Sequence, residues 1–369
     1  MKSNRKPSPI LSVICYSALS SLLVTGAHAT TFTWDGGGND NLWKTPANWN
    51  SDTAPDSDGT AALSFAGATR TNTLNDFDAN TLFSGMTFAN ATASGLAGFT
   101  LAGNRVVLGG NITTVQSTSG SLNDTIALNL LLNASRTVTV NTAHNLTISG
   151  VIGETNGIQN LTKTGSGELT LSATNTYSGK TTLSGGRVYF TWLKNIGEGP
   201  SSFGSPTTSD TGTIDFSSRL TYTGGSTTSD RIFNITANGP TFEVASGSTT
   251  LTLNGGFRGA NMSVFLRGAG AIVANGPLML GNVGISRTDG GILYLNNPTN
   301  GFTGDLTVLD GTISVASLAD AGITSPIGSG MRIALGQGNG TTGRFRYTGT
   351  TDAFCNRTIL ITSQTNNLS

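Results

Sequence analysis

The chain has 369 residues with fifty glycines, only 11% charged side chains and a formal net charge of zero. Disordered chains pair low hydrophobicity with high net charge, so this patterned and more apolar composition excludes them. The absence of a basic stripe excludes nucleic acid as a partner, and the scarcity of Glu, Lys and Gln beside abundant Thr, Ser, Asn and Gly points to an almost all-β fold.

Residues 1–29 read as a secretory signal peptide. Lys2, Arg5 and Lys6 form a positive start, Ile10 to Val24 is an apolar run, and Ala27-His28-Ala29 is a small-x-small cleavage site (Ala27, Ala29) that puts the mature start at Thr30. Beyond it stand one histidine, His144, and one cysteine, Cys355. An intrachain disulfide is then impossible, and zinc lacks its ligands. His144 has no serine elbow and no aspartate placed by a motif, and Cys355 is expected to pack inside the fold.

Residues 30–67 carry three of the four tryptophans, Trp34, Trp43 and Trp49. Two readings stand side by side. In one the indoles form an N-terminal cap that plugs the open first turn of the fold; in the other they form a platform on which a glycan stacks. Asp35, Asp40, Asp56 and Asp58 do not follow the spaced-ligand pattern of a calcium loop and are read as turn-capping carboxylates.

From about 68 to 157 short alternating strands are expected at Met86–Phe88, Gly98–Leu101, Arg105–Leu108, Ile126–Leu132, Thr137–Val140 and Asn145–Ile148, most of them separated by Gly, Asn or Ser. The clearest pattern follows in IQNLTKTGSGELTLSATNTYSGKTTLSGGRVYF, residues 158–190. Such short runs do not make a sandwich, but they line a coil that stacks on copies of itself. The copies lie about 125 residues on. Gly291-Ile-Leu293-Tyr-Leu295 echoes Gly167-Glu-Leu169-Thr-Leu171, Gly301-Phe302-Thr-Gly304 echoes Thr176-Tyr177-Ser-Gly179, and Arg219 and Arg231 return as Arg344 and Arg357. The recurrence of these arginines implies a structural role, bridging Asp230 or a coil carbonyl. Residues 191–218 and 316–330 break the rhythm as turn-rich loops, the second with a helical turn expected at Leu318–Ala321; Trp192 and Phe203 are candidate contact residues on the first.

The segment LTKTGSGELTLSATNTYSGKTTLSGGRV resembles the autotransporter-associated β-strand repeat, also called the passenger-associated transport repeat. Leu161, Lys163, Gly165, Gly167, Leu169, Leu171, Asn175, Tyr177, Gly179, Thr181, Gly186 and Val188 carry the match. The second copy, near 291–315, is degenerate, with Phe302 in place of the tyrosine and one inserted residue. The resemblance implies a passenger exported across a Gram-negative envelope to the cell surface, outer membrane or medium, with export machinery as its partner in transit. It implies no particular enzyme activity. The chain stops inside the second unit with no run of barrel strands, so it reads as an N-terminal piece of a longer passenger.

The chemistry-bearing residues are sparse. Glu168, Asp215 and Glu243 are scattered singly on strands rather than paired as glycoside hydrolysis requires, and Gly179-Lys180-Thr181 lacks the leading glycine of a phosphate loop. Neither catalytic residues, a metal site nor a cofactor is therefore expected. The expected fold is a right-handed parallel β-helix over 68–369; counted over the ~340 mature residues, about 20–25 residues per coil give roughly 14–17 coils and a length of ~70–80 Å. The expected role is an adhesin-like structural passenger whose repeat aids its own export, meeting an extracellular glycan or a host or neighbour surface. A carbohydrate-binding module using Trp34, Trp43 and Trp49, or a pectin-lyase-like enzyme, is the alternative.

Overall fold

The computed structural model describes residues 29–90, 98–118, 120–336 and 341–361. Of the proposed cleavage site only Ala29 falls among them; Ala27 and the rest of the leader lie outside the described residues.

The chain winds as a parallel β-solenoid: among the described residues its strand ladders are all parallel, with antiparallel pairing confined to isolated bridges such as Trp34–Trp49. One face is an 11-stranded sheet and the next a 13-stranded sheet. The third face is split into a 4-stranded sheet and a 6-stranded sheet on either side of the first repeat and its loop. Strands of three to five residues alternate buried and outward positions, as in Glu168–Leu171 and Arg187–Phe190. Parallel stacking in register carries each inward residue onto the one a coil earlier. Leu146, Leu169, Val188, Leu220, Phe242 and Leu266 form one such internal column. Each member contributes about 1.5–3 kcal/mol by burial, which no isolated three-residue strand achieves alone.

Asparagines and threonines stack likewise on the outside. Asn275 Nδ2 donates to Asn254 Oδ1 and Asn296 Nδ2 to Asn275 Oδ1, both at 2.9 Å, and the Thr139 and Thr164 hydroxyls meet at 2.9 Å.

Four expectations change. Thirteen strands on the longest face set about 12 spacings of ~4.8 Å, a length near 58 Å rather than 70–80 Å. The coil is not uniform: Leu169 pairs with Val188, but Val188 pairs with Leu220, because a loop takes up residues without adding a turn. The expected strand at Ile126–Leu132 is two strands, Leu122–Ile126 and Leu130–Leu132, around a corner, since an unbroken apolar run does not reveal a bend. No helical turn forms at Leu318–Ala321. One is present instead at Ser209–Gly212, where the Thr208 hydroxyl accepts from the Thr211 N–H.

Residues 30–67 are continuous with the solenoid. Thr30–Trp34 and Ala61–Phe65 are neighbouring strands of the 11-stranded sheet, and the segment between them folds back over the indoles. Trp34 and Trp49 rings meet edge-on at 5.2 Å, and Trp43 lies 5.5 Å from Phe65 and 5.9 Å from Phe83.

Candidate functional site

The repeat is a set of polar side chains turned inward onto backbone carbonyls. Lys163 occupies a place in an internal column otherwise made of Val138, Leu183, Phe216 and Ile235, and it is fully buried. Its ammonium has three N–H donors, and they meet three carbonyls: Gly165 O at 2.6 Å, Gly167 O at 2.8 Å and Gly185 O at 2.8 Å. Those carbonyls belong to two successive corners, so the cation ties one coil to the next. Gly186 sits there with φ +63°, and a β-carbon on it would come within 2.6 Å of Lys163 Nζ. Burial pushes the ammonium down to about 8, with nearby Glu168 acting in the opposite direction.

The second unit repeats the device with another residue. Arg287 replaces an aliphatic between Leu266 and Val308 and is fully buried. Its guanidinium donates to Leu266 O at 3.1 Å, Gly270 O at 3.0 Å and Gly291 O at 3.2 Å, and also to Gly268 O. A β-carbon at Gly291 would overlap Nη2 at 1.9 Å. The echo legible from Gly291 onward leaves Arg287 outside it; the likeness of Ile285-Ser-Arg287 to Leu161-Thr-Lys163 is the sequence signal that marks it.

Tyr177 and Asn175 form the return corner. The Tyr177 hydroxyl pairs with Thr181 Oγ1 at 2.8 Å inside the core, and burial pushes its pKa up to about 12. In the second unit the pair is Phe302 and Leu306, both buried, so the polar couple has become apolar at both members. Asn175 Oδ1 accepts from Ile152 N and its Nδ2 donates to Ser202 O, each at 2.8 Å. Asn300 does the same with Leu278 N and Pro326 O, at 2.9 and 2.7 Å.

The two loops are held down by the recurring arginines. Arg231 is buried and donates to Phe203 O at 3.2 Å and to Gly212 O; burial lowers its pKa to about 10. Arg357 donates to Ile327 O, Gly328 O and Gly330 O at 3.3, 2.9 and 2.7 Å. Carbonyls of the loops themselves, rather than Asp230 or a coil carbonyl, are therefore the partners of Arg231 and Arg357, while Arg219 meets Glu243. A second lock is exchanged in polarity between units. Asp230 N donates to Asn195 Oδ1 and Ile196 N to Asp230 Oδ1, whereas Asn356 N donates to Asp320 Oδ1 and Ala321 N to Asn356 Oδ1. Phe203 is buried against Phe190 at 4.7 Å; Trp192 is 49% exposed.

Other sequence candidates fall as follows. Trp34, Trp43 and Trp49 have no exposed surface, and their N–H groups are bound to Thr69 O, Thr73 Oγ1 and Trp43 O. The glycan platform proposed for them is thereby removed: no sugar reaches a ring that the core encloses. Asp35, Asp40 and Asp58 accept from Gly37 N, Leu42 N and Thr60 N, which makes them turn caps; these contacts, the backbone N–H first, lower Asp40, and the Thr60 hydroxyl and N–H lower Asp58. Cys355 is only half-buried.

His144 faces an aspartate that no motif marks: Asp124 Oδ2 lies 3.0 Å from Nδ1, one coil back and buried. Among the described residues His144 Nε2 has no hydrogen-bond partner. Asp215 is engaged by Lys180 at 2.8 Å, and Glu243 by Arg187 at 2.9 Å and Arg219 at 2.8 Å.

Comparison with known proteins agrees with this anatomy. The family model for the passenger-associated-transport-repeat matches at 161–188 and 286–315, and the second match begins beside Arg287. The chain is 31% identical over 242 residues to the adhesin BmaC autotransporter of Brucella suis biovar 1 (strain 1330), an alignment spanning 65% of this chain and 6% of that protein. No solved structure matches. Both matched segments lie on the parallel solenoid, and each is similar to the passenger-associated transport repeat.

Proposed function

We propose that the chain is an exported, surface-displayed passenger of adhesin-like, non-enzymatic type, whose folding outside the cell helps draw the chain outward. The observation that supports it is the pair of register-matched repeats, each sealing successive corners with a buried cation. Parallel coils add one at a time on the preceding coil, so burial released at each step works against backward movement. The rod offers a rigid support for its loops, where binding residues concentrate in such folds.

Replacing Leu169 and Leu171 by Asp breaks two internal columns inside the first repeat. Surface appearance, followed by antibody and protease accessibility on intact cells, should slow several-fold. Unchanged kinetics would remove the export role, and a chain never reached by protease on intact cells would remove surface display itself.

A further inference from the structure

Trp192 is the feature that the architecture leaves unexplained. It stands at the root of the first loop, over an open cleft of about 250 Å³ formed with Thr191, Leu193, Lys194, Tyr222 and Ser226. Its placement is rigid. Thr191 N and Trp192 N both donate to Ser202 Oγ, at 3.2 and 3.1 Å, and the indole Nε1–H donates to Ser172 O at 3.1 Å. The ring's polar atom is thus satisfied, and the surface left to solvent is apolar.

The second unit shows that the coil does not need this indole. Ser317 and Ala319 stand where the first unit has Trp192 and Lys194, while Leu318 and Tyr347 keep the places of Leu193 and Tyr222. The backbone bond of Thr223 N to Phe190 O is likewise kept as Thr348 N to Val315 O. An exposed indole and an exposed ammonium have therefore been placed together on a frame that forms without either.

We propose that this cleft binds one carboxylated pyranose residue of an extracellular saccharide. The negative face of an indole attracts the polarised C–H groups of a sugar ring, and a ring already fixed loses little entropy on contact. Lys194 is the charged residue lining the cleft, which favours a carboxylate. Tyr222 donates its hydroxyl hydrogen to Gly225 O at 2.6 Å and keeps its lone pairs as acceptors. Ser226 Oγ accepts from Thr250 N at 2.9 Å and keeps its O–H as a donor. The volume lies below the roughly 300–1,000 Å³ of pockets that enclose drug-sized ligands, so it takes one ring of a longer chain.

The inference rests on the surface-passenger reading for its setting, but it is tested on the purified chain, whose binding does not depend on how it leaves the cell. Trp34, Trp43 and Trp49 are buried, so quenching by acrylamide reports Trp192. Oligogalacturonate and sialyllactose serve as probes, with lactose as the neutral control, and calorimetry gives the affinity. Both acidic probes should protect Trp192 from quenching. Trp192→Ser, which copies the second unit, should weaken binding at least roughly tenfold, the equivalent of 1.4 kcal/mol, while leaving the thermal transition unmoved. Lys194→Ala should bring the acidic sugars down to the level of lactose. No binding of either acidic probe at millimolar concentration overturns the proposal, as does undiminished binding by Trp192→Ser; lactose bound as tightly as the acids overturns the carboxylate assignment.

Discussion

A lysine inside a hydrocarbon column persists only because each of its donors finds a carbonyl at a corner; without them desolvation would exclude it. The residual effect of burial is visible in pH. Lys163 is held at about 8 against an ordinary 10.5. Between those values the unfolded chain carries the extra proton, so stability rises with pH across that window and is flat below it. Denaturation midpoints of the parent relative to Lys163→Met should therefore shift in the parent's favour from pH 8 to 10; a constant difference would show that the carbonyls hold the ammonium fully charged. The neighbouring Tyr177–Thr181 couple makes a second case. Tyr177→Phe strands the Thr181 hydroxyl in the core and should cost about 1 kcal/mol. Adding Thr181→Leu reproduces the Phe302–Leu306 pair of the second unit, so the double variant should lie well above the sum of the singles in chemical denaturation. Simple additivity would count against a coupled pair.

At the level of elements, the loops are better described as tethered than as free. Arg231 spans the first loop from Phe203 O to Gly212 O, and Arg357 does the same for the second through Ile327 and Gly330. Removing such a buried group leaves several carbonyls without donors. Arg231→Ala is expected to destabilise by about 2–4 kcal/mol and to expose residues 191–213 to early proteolytic cleavage. Arg231→Lys should recover little, because a single ammonium does not replace the planar fork that reaches both carbonyls; an unmoved thermal transition in either variant would refute the tether. The sequence showed that these arginines recur but not what they hold. Their partners lie 19 to 28 residues away for Arg231, a separation that has meaning only once the coil length is known. The His144–Asp124 pair, 20 residues apart, escaped for the same reason.

Across the whole molecule the two units do not superpose by simple translation along the axis. Leu161–Thr164 and Glu168–Leu171 lie on the 11- and 13-stranded sheets, whereas Ile285–Arg287 and Ile292–Leu295 lie on the 13- and 6-stranded sheets. The unit length is therefore a whole number of coils plus one face, and the loops that follow the repeats leave from different edges of the rod. Because each coil touches only its neighbours, damage should stay local. In the purified chain, Leu169→Asp with Leu171→Asp should abolish hydrogen-exchange protection in the adjoining strands while those around Trp49 and Phe257 keep theirs. Global loss would mean that slowed export of the same variant reports collapse of the rod rather than failure of one repeat.

The alternation of Leu169 with Leu171, the glycine corners and the recurrence near 125 residues determined the solenoid and its inward columns by themselves, because parallel stacking demands nothing beyond a local period and a turn. What lies inside and what lies outside was decided by the tertiary structure where the residue type is ambivalent. Trp49 reads as core plug or as platform until its burial is seen, and Lys163 reads only as a position of the repeat until three carbonyls are found around its ammonium. Those outcomes depend on atoms a coil away, and the distance along the chain to the next coil is set by loops whose length no local pattern encodes.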